Sequence, residues 1–167
     1  GKSTFLKSSA LCAVFAQTVG AVPAREYQGG YYEIYTSMAL RDDLGSGESY
    51  YIKEIKAMKR ILDRIAAGAH VLCMVDEVLR GTNTVERIAA STEVLKTLRG
   101  QDTICFAATH DIELSYLLED IYENYHFTEE VREDEIYFSY KLLKGRSTSR
   151  NAIRLLALIG YGEELVE

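Results

Sequence analysis

Residues 71–77 read VLCMVDE, an unbroken apolar run of strand length that ends in two carboxylic acids. A continuous apolar run of this kind predicts a strand that is buried on both faces. In an open parallel sheet, ligands bind at the carboxyl ends of the strands, which is where Asp76 and Glu77 fall. The alternative is that the two acids begin a helix or a turn and are solvated. Two adjacent acids directly after an uncharged strand favour a functional edge of the sheet.

Helix and strand patterns alternate on either side of this stretch. The apolar run from Phe5 to Val19 ends at Gly20, as a mostly buried helix ends at a glycine C-cap. Glu54–Ala67 and Val85–Leu98 carry apolar residues at helical spacing. The remaining patterns predict a strand at YYEIYTSM (31–38), a buried strand at TICFAAT (103–109), a helix at IELSYLLEDI (112–121) and a strand exposed on one face at EIYFSYKLL (135–143). This order predicts an α/β fold whose largely parallel sheet is covered by helices on both faces.

The chain begins GKSTFLK, and Gly-Lys-Ser/Thr at a helix start is the second half of a phosphate-binding loop. Unpaired amides and the positive end of the helix dipole attract phosphate oxygens at such a position. Lys2 would then reach the terminal phosphates of ATP, Ser3 would ligate Mg²⁺, and Gly1 and Thr4 would complete the cradle. The alternative is an ordinary helix start that is capped by Ser3 or Thr4.

A second group of candidate residues falls at the carboxyl edge of the predicted sheet. Asp76 would hold Mg²⁺, and Glu77 would polarise the water that attacks the γ-phosphate. The strand that ends FAATHD brings His110 to the same edge, where an imidazole can donate to the γ-phosphate or orient the water. A single strand-end histidine is often structural, but its convergence with the two acids favours a functional role. His70 and His126 follow no buried strand and receive no role.

The composition restricts the partners and the compartment. The formal net charge of −6 argues against direct binding of DNA or a membrane by this segment, because such surfaces are basic. Cys12, Cys73 and Cys105 stand singly among apolar neighbours, which favours buried thiols in a reducing compartment. The sequence contains no evident signal peptide or membrane span, so we expect a cytoplasmic protein without direct membrane contact.

Ordered blocks along the chain resemble the C-terminal ATPase domain of the MutS family, a relative of the ABC-type ATPases. GKSTFLK with VPA (22–24) is similar to the phosphate loop with its helix and following turn, and DDLGSGESYYIKEI (42–55) is similar to the signature segment. VDEVLRGTNTVERIA (75–89) is similar to the Walker B strand with its loop, and ATHDIEL (108–114) is similar to the histidine switch. NYHF (124–127) is similar to a strand start, and SRNAIRLLALIGYGEELVE (149–167) is similar to the C-terminal helical segment. The resemblance implies a P-loop NTPase fold and one ATPase domain over residues 1–167 that starts inside the phosphate-binding loop.

The resemblance also implies a homodimer in which two ATPase domains face each other. Ser49 would contact the nucleotide of the opposite subunit in trans, and Gly47 would allow the backbone to approach it closely. The loop Gly81–Thr84 would run along the dimer interface. From the residues alone, this loop is a turn that caps the next helix, with Asn83 or Thr84 as N-cap. Duplex DNA would be held by domains upstream of this chain.

The chain departs from the family pattern in three places. Residue 83 is Asn where Ser is usual, residue 48 is acidic where a basic or amide residue is usual, and VERIAAS (85–91) replaces a more glycine-rich continuation. These departures suggest a divergent branch. One hypothesis is a MutS-like ATPase that couples dimer switching to DNA mismatch binding. One alternative is an ABC-type ATPase module that acts on another partner. A second alternative is a nucleotide-free scaffold, and the retained site residues count against it.

Overall fold

The computed structural model describes residues 1–38, 50–100, 102–132 and 135–147. Ser49 and Gly47, which the resemblance assigns to the opposite subunit's site, lie outside these residues. The quoted segment 149–167 and most of the signature segment also lie outside them. The chain forms two compact units, Gly1–Tyr122 and Glu123–Glu167.

The first unit contains four helices and three strands among its described residues. In chain order they are α1 (Lys2–Val19), β1 (Glu33–Ser37), α2 (Tyr50–Ala66), β2 (Val71–Asp76), α3 (Thr84–Thr97), β3 (Thr103–Ala108) and α4 (Ile112–Leu117). The strands form a parallel sheet in the order β1-β2-β3. The predicted α/β alternation and the parallel pairing of these strands are therefore confirmed.

The central strand β2 separates two hydrophobic layers. All six of its residues are buried. Successive side chains of a strand point to opposite faces, so Cys73 joins the layer formed with α2, α3 and α4, while Leu72 and Met74 pack with α1. Helices therefore cover both faces of β2, as its continuous apolar sequence predicts.

The strand β3 is less buried than its sequence suggests. We expected TICFAAT to be a buried strand, but Ile104 and Phe106 remain 42% and 37% exposed. They lie on alternate positions of β3, and the Phe106 ring packs in a T-shaped arrangement against Phe5 of α1, with 6.1 Å between ring centroids. Their register partners Leu72 and Met74 on β2 are buried against α1, so α1 covers this face of the sheet more fully at β2 than at the edge strand β3.

The ends of the helices follow local sequence signals. Gly20 has a φ of 69°, and its N–H donates to the Phe15 carbonyl at 3.2 Å, so it terminates α1 as predicted. The predicted helix over 112–121 is shorter in the structure, because α4 ends at Leu117 and turns follow it.

The second unit contains β4 (Tyr125–Arg132) and β5 (Glu135–Lys144), which pair antiparallel. The predicted strand over 135–143 is thus present, but it belongs to a separate two-stranded sheet. We expected it to be exposed on one face only. Residues 140–144 are instead exposed at consecutive positions, and Tyr140 has a positive φ of 52°, a conformation that a large side chain rarely adopts.

A leucine truncation in the core should separate packing from helix propensity. Leu95 of α3 is 3% exposed, whereas Leu11 of α1 is 54% exposed. We expect Leu95→Ala to lower the free energy of unfolding by about 2–5 kcal/mol, because a buried Leu-to-Ala change loses packing and leaves a cavity. Leu11→Ala, the matched control, should cost less than about 1 kcal/mol. Urea denaturation of the 167-residue chain measures both, and equal losses would contradict the assigned core.

Candidate functional site

The carboxyl ends of β2 and β3 lie side by side. Asp76 is the register partner of Ala108, and the Glu77 N–H extends the pairing by donating to the Ala108 carbonyl at 2.9 Å. Asp76 is buried, with 8% of its surface exposed. The parallel register therefore carries Asp76, Glu77 and His110 to one edge of the sheet, as the sequence predicts.

His110 bridges the start of α1 and the end of β2. Its Nδ1 lies 3.3 Å from Lys2 Nζ, and its Nε2 lies 3.2 Å from Glu77 Oε1. An ammonium group can only donate, so Nδ1 accepts from Lys2. The ring proton then lies on Nε2, the nitrogen that faces Glu77. The structure thus brings together three predicted site residues that come from three parts of the chain.

Glu77 is held on its other side by a residue that sequence reasoning did not select. Arg80 Nε lies 2.5 Å from Glu77 Oε2 in an i,i+3 ion pair. Glu77 has a φ of 59° and Leu79 a φ of 57°. Such left-handed conformations are uncommon for these residue types and occur where surrounding contacts impose them, often at functional sites. In the sequence, the short spacing of these two opposite charges is the feature that could have indicated the pair.

The N-terminus of α1 is uncapped by side chains. Gly1 is the N-cap residue without a side-chain capping bond, and the first turn contains no acidic residue. The alternative that Ser3 or Thr4 caps the helix is therefore wrong, and both side chains are exposed. The first-turn amides of an 18-residue helix have no intrahelical partners and present a partial positive charge. This end of α1 also places Lys2 against His110.

No group of three or more potential metal-binding His, Cys, Asp or Glu side chains occurs within residues 1–38, 50–100, 102–132 and 135–147. Mg²⁺ at a nucleotide site usually takes only one or two protein oxygens, with phosphates and waters as its other ligands. The carboxylate of Asp76 and the hydroxyl of Ser3 are oxygen donors of this type, so the residues present fit such an ion.

The loop that follows β2 is tied to α3. Asn83 is the N-cap of α3, because its side chain accepts from the Glu86 N–H at 3.0 Å. Thr82 Oγ1 donates to the Glu86 carboxylate at 2.7 Å, and buried Ser91 donates to the Val78 carbonyl at 3.1 Å. The interpretation of this loop as a helix cap is confirmed, with Asn83 rather than Thr84 as the capping residue.

A second ion pair joins α3 to the segment after β3. Arg87 Nε and Nη2 donate to the two carboxylate oxygens of Asp111 at 2.8 Å and 2.6 Å. The hydrogen bonds to Asp111 raise the pKa of Arg87, so the guanidinium group stays charged. Sequence reasoning did not predict this pair, because the two residues are 24 positions apart and local patterns do not indicate which charges meet.

The cysteines occupy different environments. Cys73 is buried and is the register partner of Cys105, whereas Cys12 and Cys105 are half-buried. The hydrogen bond to Cys105 and burial raise the pKa of Cys73, which keeps that thiol protonated. Burial also raises the pKa of Tyr122, whose hydroxyl donates to the Leu95 carbonyl at 2.8 Å. The expectation of a buried thiol holds fully for Cys73 alone.

A family model described as MutS domain V matches residues 1–167. The chain belongs to the MutS family. The match spans both compact units and includes the whole edge formed by Lys2, Glu77 and His110.

Individual MutS-family relatives align along nearly all of the chain. The DNA mismatch repair protein MutS from a strain of Thermus thermophilus is 31% identical over 168 residues, which are 100% of this chain and 20% of that protein. The MutS protein of Thermus aquaticus is 32% identical over 99% of the chain, and human MutS protein homolog 4 is 35% identical over 90% of it, covering 17% of its own length. The chain thus spans about a fifth of the length of these relatives.

None of the helices in the described part of the chain combines the length and the apolar character that crossing a bilayer requires.

A side chain at Gly81, in the loop after β2, should destabilise the protein. A Cβ built there would lie 2.6 Å from Tyr51 Cβ and 3.2 Å from its Cα, so the loop and α2 would have to move apart. We expect Gly81→Ala to lower the free energy of unfolding by about 1–3 kcal/mol, the usual cost of overpacking.

Gly30→Ala is the control for this substitution, because the nearest atoms to its Cβ would be those of the Tyr32 side chain, at the ordinary contact distance of 3.4 Å. It should change the stability little. Thermal unfolding of both variants decides the point, and an unperturbed Gly81→Ala protein would contradict the close approach to Tyr51.

Proposed function

We propose that this chain is the ATP-binding and hydrolysing domain of a MutS-like protein. The observation that carries the proposal is the contact of His110 with both Lys2 and Glu77 at the carboxyl edge of a parallel sheet. A lysine at a helix N-terminus suits phosphate, and a carboxylate at a strand end suits activation of water. Membership of the MutS family supports the same conclusion.

The nucleotide phosphates would bind at the start of α1. Gly1–Thr4 would supply backbone amides there, and Lys2 would exchange its contact with His110 for the terminal phosphates. Ser3 and Asp76 would hold Mg²⁺, which supplies positive charge against the phosphate oxygens when bound. Gly1, Ser3 and Thr4 are exposed at the start of α1, which leaves them accessible to a ligand.

Glu77 would act as the general base for the attacking water. His110 and Arg80 hold its two carboxylate oxygens, one each. A carboxylate oxygen has a second lone pair, so Glu77 can accept a hydrogen bond from water while both neighbours fix its orientation. Once Lys2 has turned to the phosphates, His110 would be free to orient the water or to stabilise charge on the γ-phosphate.

The wider function rests on a second copy of the chain and on regions beyond residues 1–167. We propose a homodimer in which Ser49 of each copy completes the nucleotide site of the other. The net charge of −6 disfavours strong binding of duplex DNA by this segment, so DNA would be bound by upstream domains of the protein. ATP binding and hydrolysis would switch the dimer and thereby the hold on mismatched DNA. Asn83, Glu48 and the VERIAAS segment would mark a divergent branch of the family.

Substitution of the proposed base should separate binding from hydrolysis. In the full-length protein that carries these residues, Glu77→Gln keeps the side-chain shape but removes the proton acceptor. We expect ATP hydrolysis to slow by about two to four orders of magnitude, the usual weight of a general base, with nucleotide affinity nearly unchanged. Phosphate release assays and equilibrium titration with a fluorescent ATP analogue measure the two quantities.

Glu93→Gln is the matched control for this experiment. Glu93 is a carboxylate on α3 with 74% of its side chain exposed and an ion pair to Lys96. Its substitution should leave hydrolysis within about twofold of the wild-type rate. Turnover by Glu77→Gln that matches the control would remove Glu77 from the mechanism.

Complementation between two inactive variants tests the shared site. Ser49→Ala should lower hydrolysis without weakening the nucleotide affinity of the same subunit, because the side chain serves its neighbour. In a mixed dimer with Lys2→Ala, the intact Lys2 and the intact Ser49 meet in one of the two sites. Hydrolysis should then recover partly relative to either pure variant. Mixed dimers proven by affinity tags that remain as inactive as the pure variants would argue against sharing in trans.

A further inference from the structure

The Arg87–Asp111 pair is built more tightly than an ordinary surface ion pair. Its two parallel hydrogen bonds use both carboxylate oxygens, and the side chains of Arg87 and Asp111 are only 24% and 17% exposed. Bidentate, partly buried pairs of this kind restrict geometry as well as contributing energy. Solvent screens them less than exposed pairs, which contribute little.

The Asp111 carboxylate binds Arg87 and does not cap its own helix. Asp111 is the N-cap residue of α4, yet its side chain makes no capping bond. An aspartate at this position normally caps the helix. The Asp111 N–H is itself fixed, because it donates to Thr109 Oγ1 at 2.9 Å. Contacts on both sides thus restrain the backbone that carries His110.

The pair joins two segments that flank the candidate site. Arg87 lies in the first turn of α3, whose N-cap is Asn83, and Asp111 is the residue directly after His110. The His110 side chain is 73% exposed, so little packing holds the ring itself. Its place between Lys2 and Glu77 depends on the backbone position of residues 109–111.

We propose that Arg87 and Asp111 are positioning residues whose ion pair holds His110 between Lys2 and Glu77. This inference rests on the proposed ATPase function for its kinetic consequence, but the placement of His110 can be tested without activity. Arg87 belongs to the VERIAAS segment, where the chain departs from the family pattern. The pair thereby links the start of α3 to the carboxyl edge of the sheet. A shift of α3 would therefore move the backbone that positions His110.

Chemical modification of the histidines tests the placement directly. Diethyl pyrocarbonate acylates an imidazole nitrogen that has a free lone pair, and peptide mass spectrometry of the full-length protein follows each histidine separately. At about pH 8 an ordinary histidine is neutral. Because Lys2 donates to His110 Nδ1, we expect slow modification of His110 in the wild type and a several-fold faster reaction in Arg87→Lys, which retains the charge but loses the guanidinium fork. Asp111→Asn should have the same effect from the other side.

The chain provides internal and matched controls. His70 is also exposed and lies near Asp102, away from the pair, so its rate should not change. Arg64→Lys disrupts a comparable bidentate pair with Glu33 and should leave His110 at its wild-type rate. An unchanged His110 rate in both Arg87→Lys and Asp111→Asn would overturn the proposal. Equal acceleration at all histidines would overturn it as well, since the pair would then act only on global stability.

Kinetics provide the second measurement. Arg87→Lys should lower kcat for ATP hydrolysis by roughly tenfold or more with little change in KM, as expected for a misplaced group at the reacting centre. In a His110→Ala background the same substitution should have no further effect, because Arg87 acts through His110. Additive losses would overturn the positioning role. A wild-type protein without ATPase activity would instead refute the proposed function, while the modification rates would still decide the placement of His110.

Discussion

The parallel pairing of β2 with β3 is the constraint on which the site depends. Its register sets Asp76 beside Ala108 and lets Glu77 donate to the Ala108 carbonyl, so the residues after both strands leave the sheet at the same level. A shift of one residue would turn the buried side chains of β2 to the opposite faces. Both hydrophobic layers contain residues of β2, so the register that fills the core also aligns the acids with His110.

The helix α1 supplies the third side of the site through the same core. Leu6, Ala10 and Ala13 of α1 pack with Leu72 and Met74, which fixes the helix over one face of β2. Its N-terminus therefore meets the carboxyl edge of the sheet, where Lys2 contacts His110 across 108 residues of sequence. Hydrophobic packing along the helix and the strand thus determines a polar contact at their ends.

Ion pairs then refine what the packing brings together. Arg80 and His110 each hold one oxygen of Glu77, and Arg87 holds the backbone beside His110 through Asp111. Lys2, Glu77 and His110 meet at the carboxyl edge of the sheet, and Arg87 at the start of α3 contacts the segment after β3 through Asp111.

The sequence by itself determined the order of the elements, the Gly20 end of α1, the capping loop before α3 and the placement of Asp76, Glu77 and His110 at strand ends. These features follow from local periodicity and from residue types whose backbone preferences act over a few positions. Only the tertiary structure decided the exposure of Ile104 and Phe106, the separate pairing of β4 with β5, and the partners of Arg80, Arg87 and Asp111. The physical reason is that exposure depends on which neighbours cover a strand. An ion pair likewise depends on where the fold brings two charges together. The 24-residue separation of Arg87 and Asp111 in the sequence gives no indication of their contact.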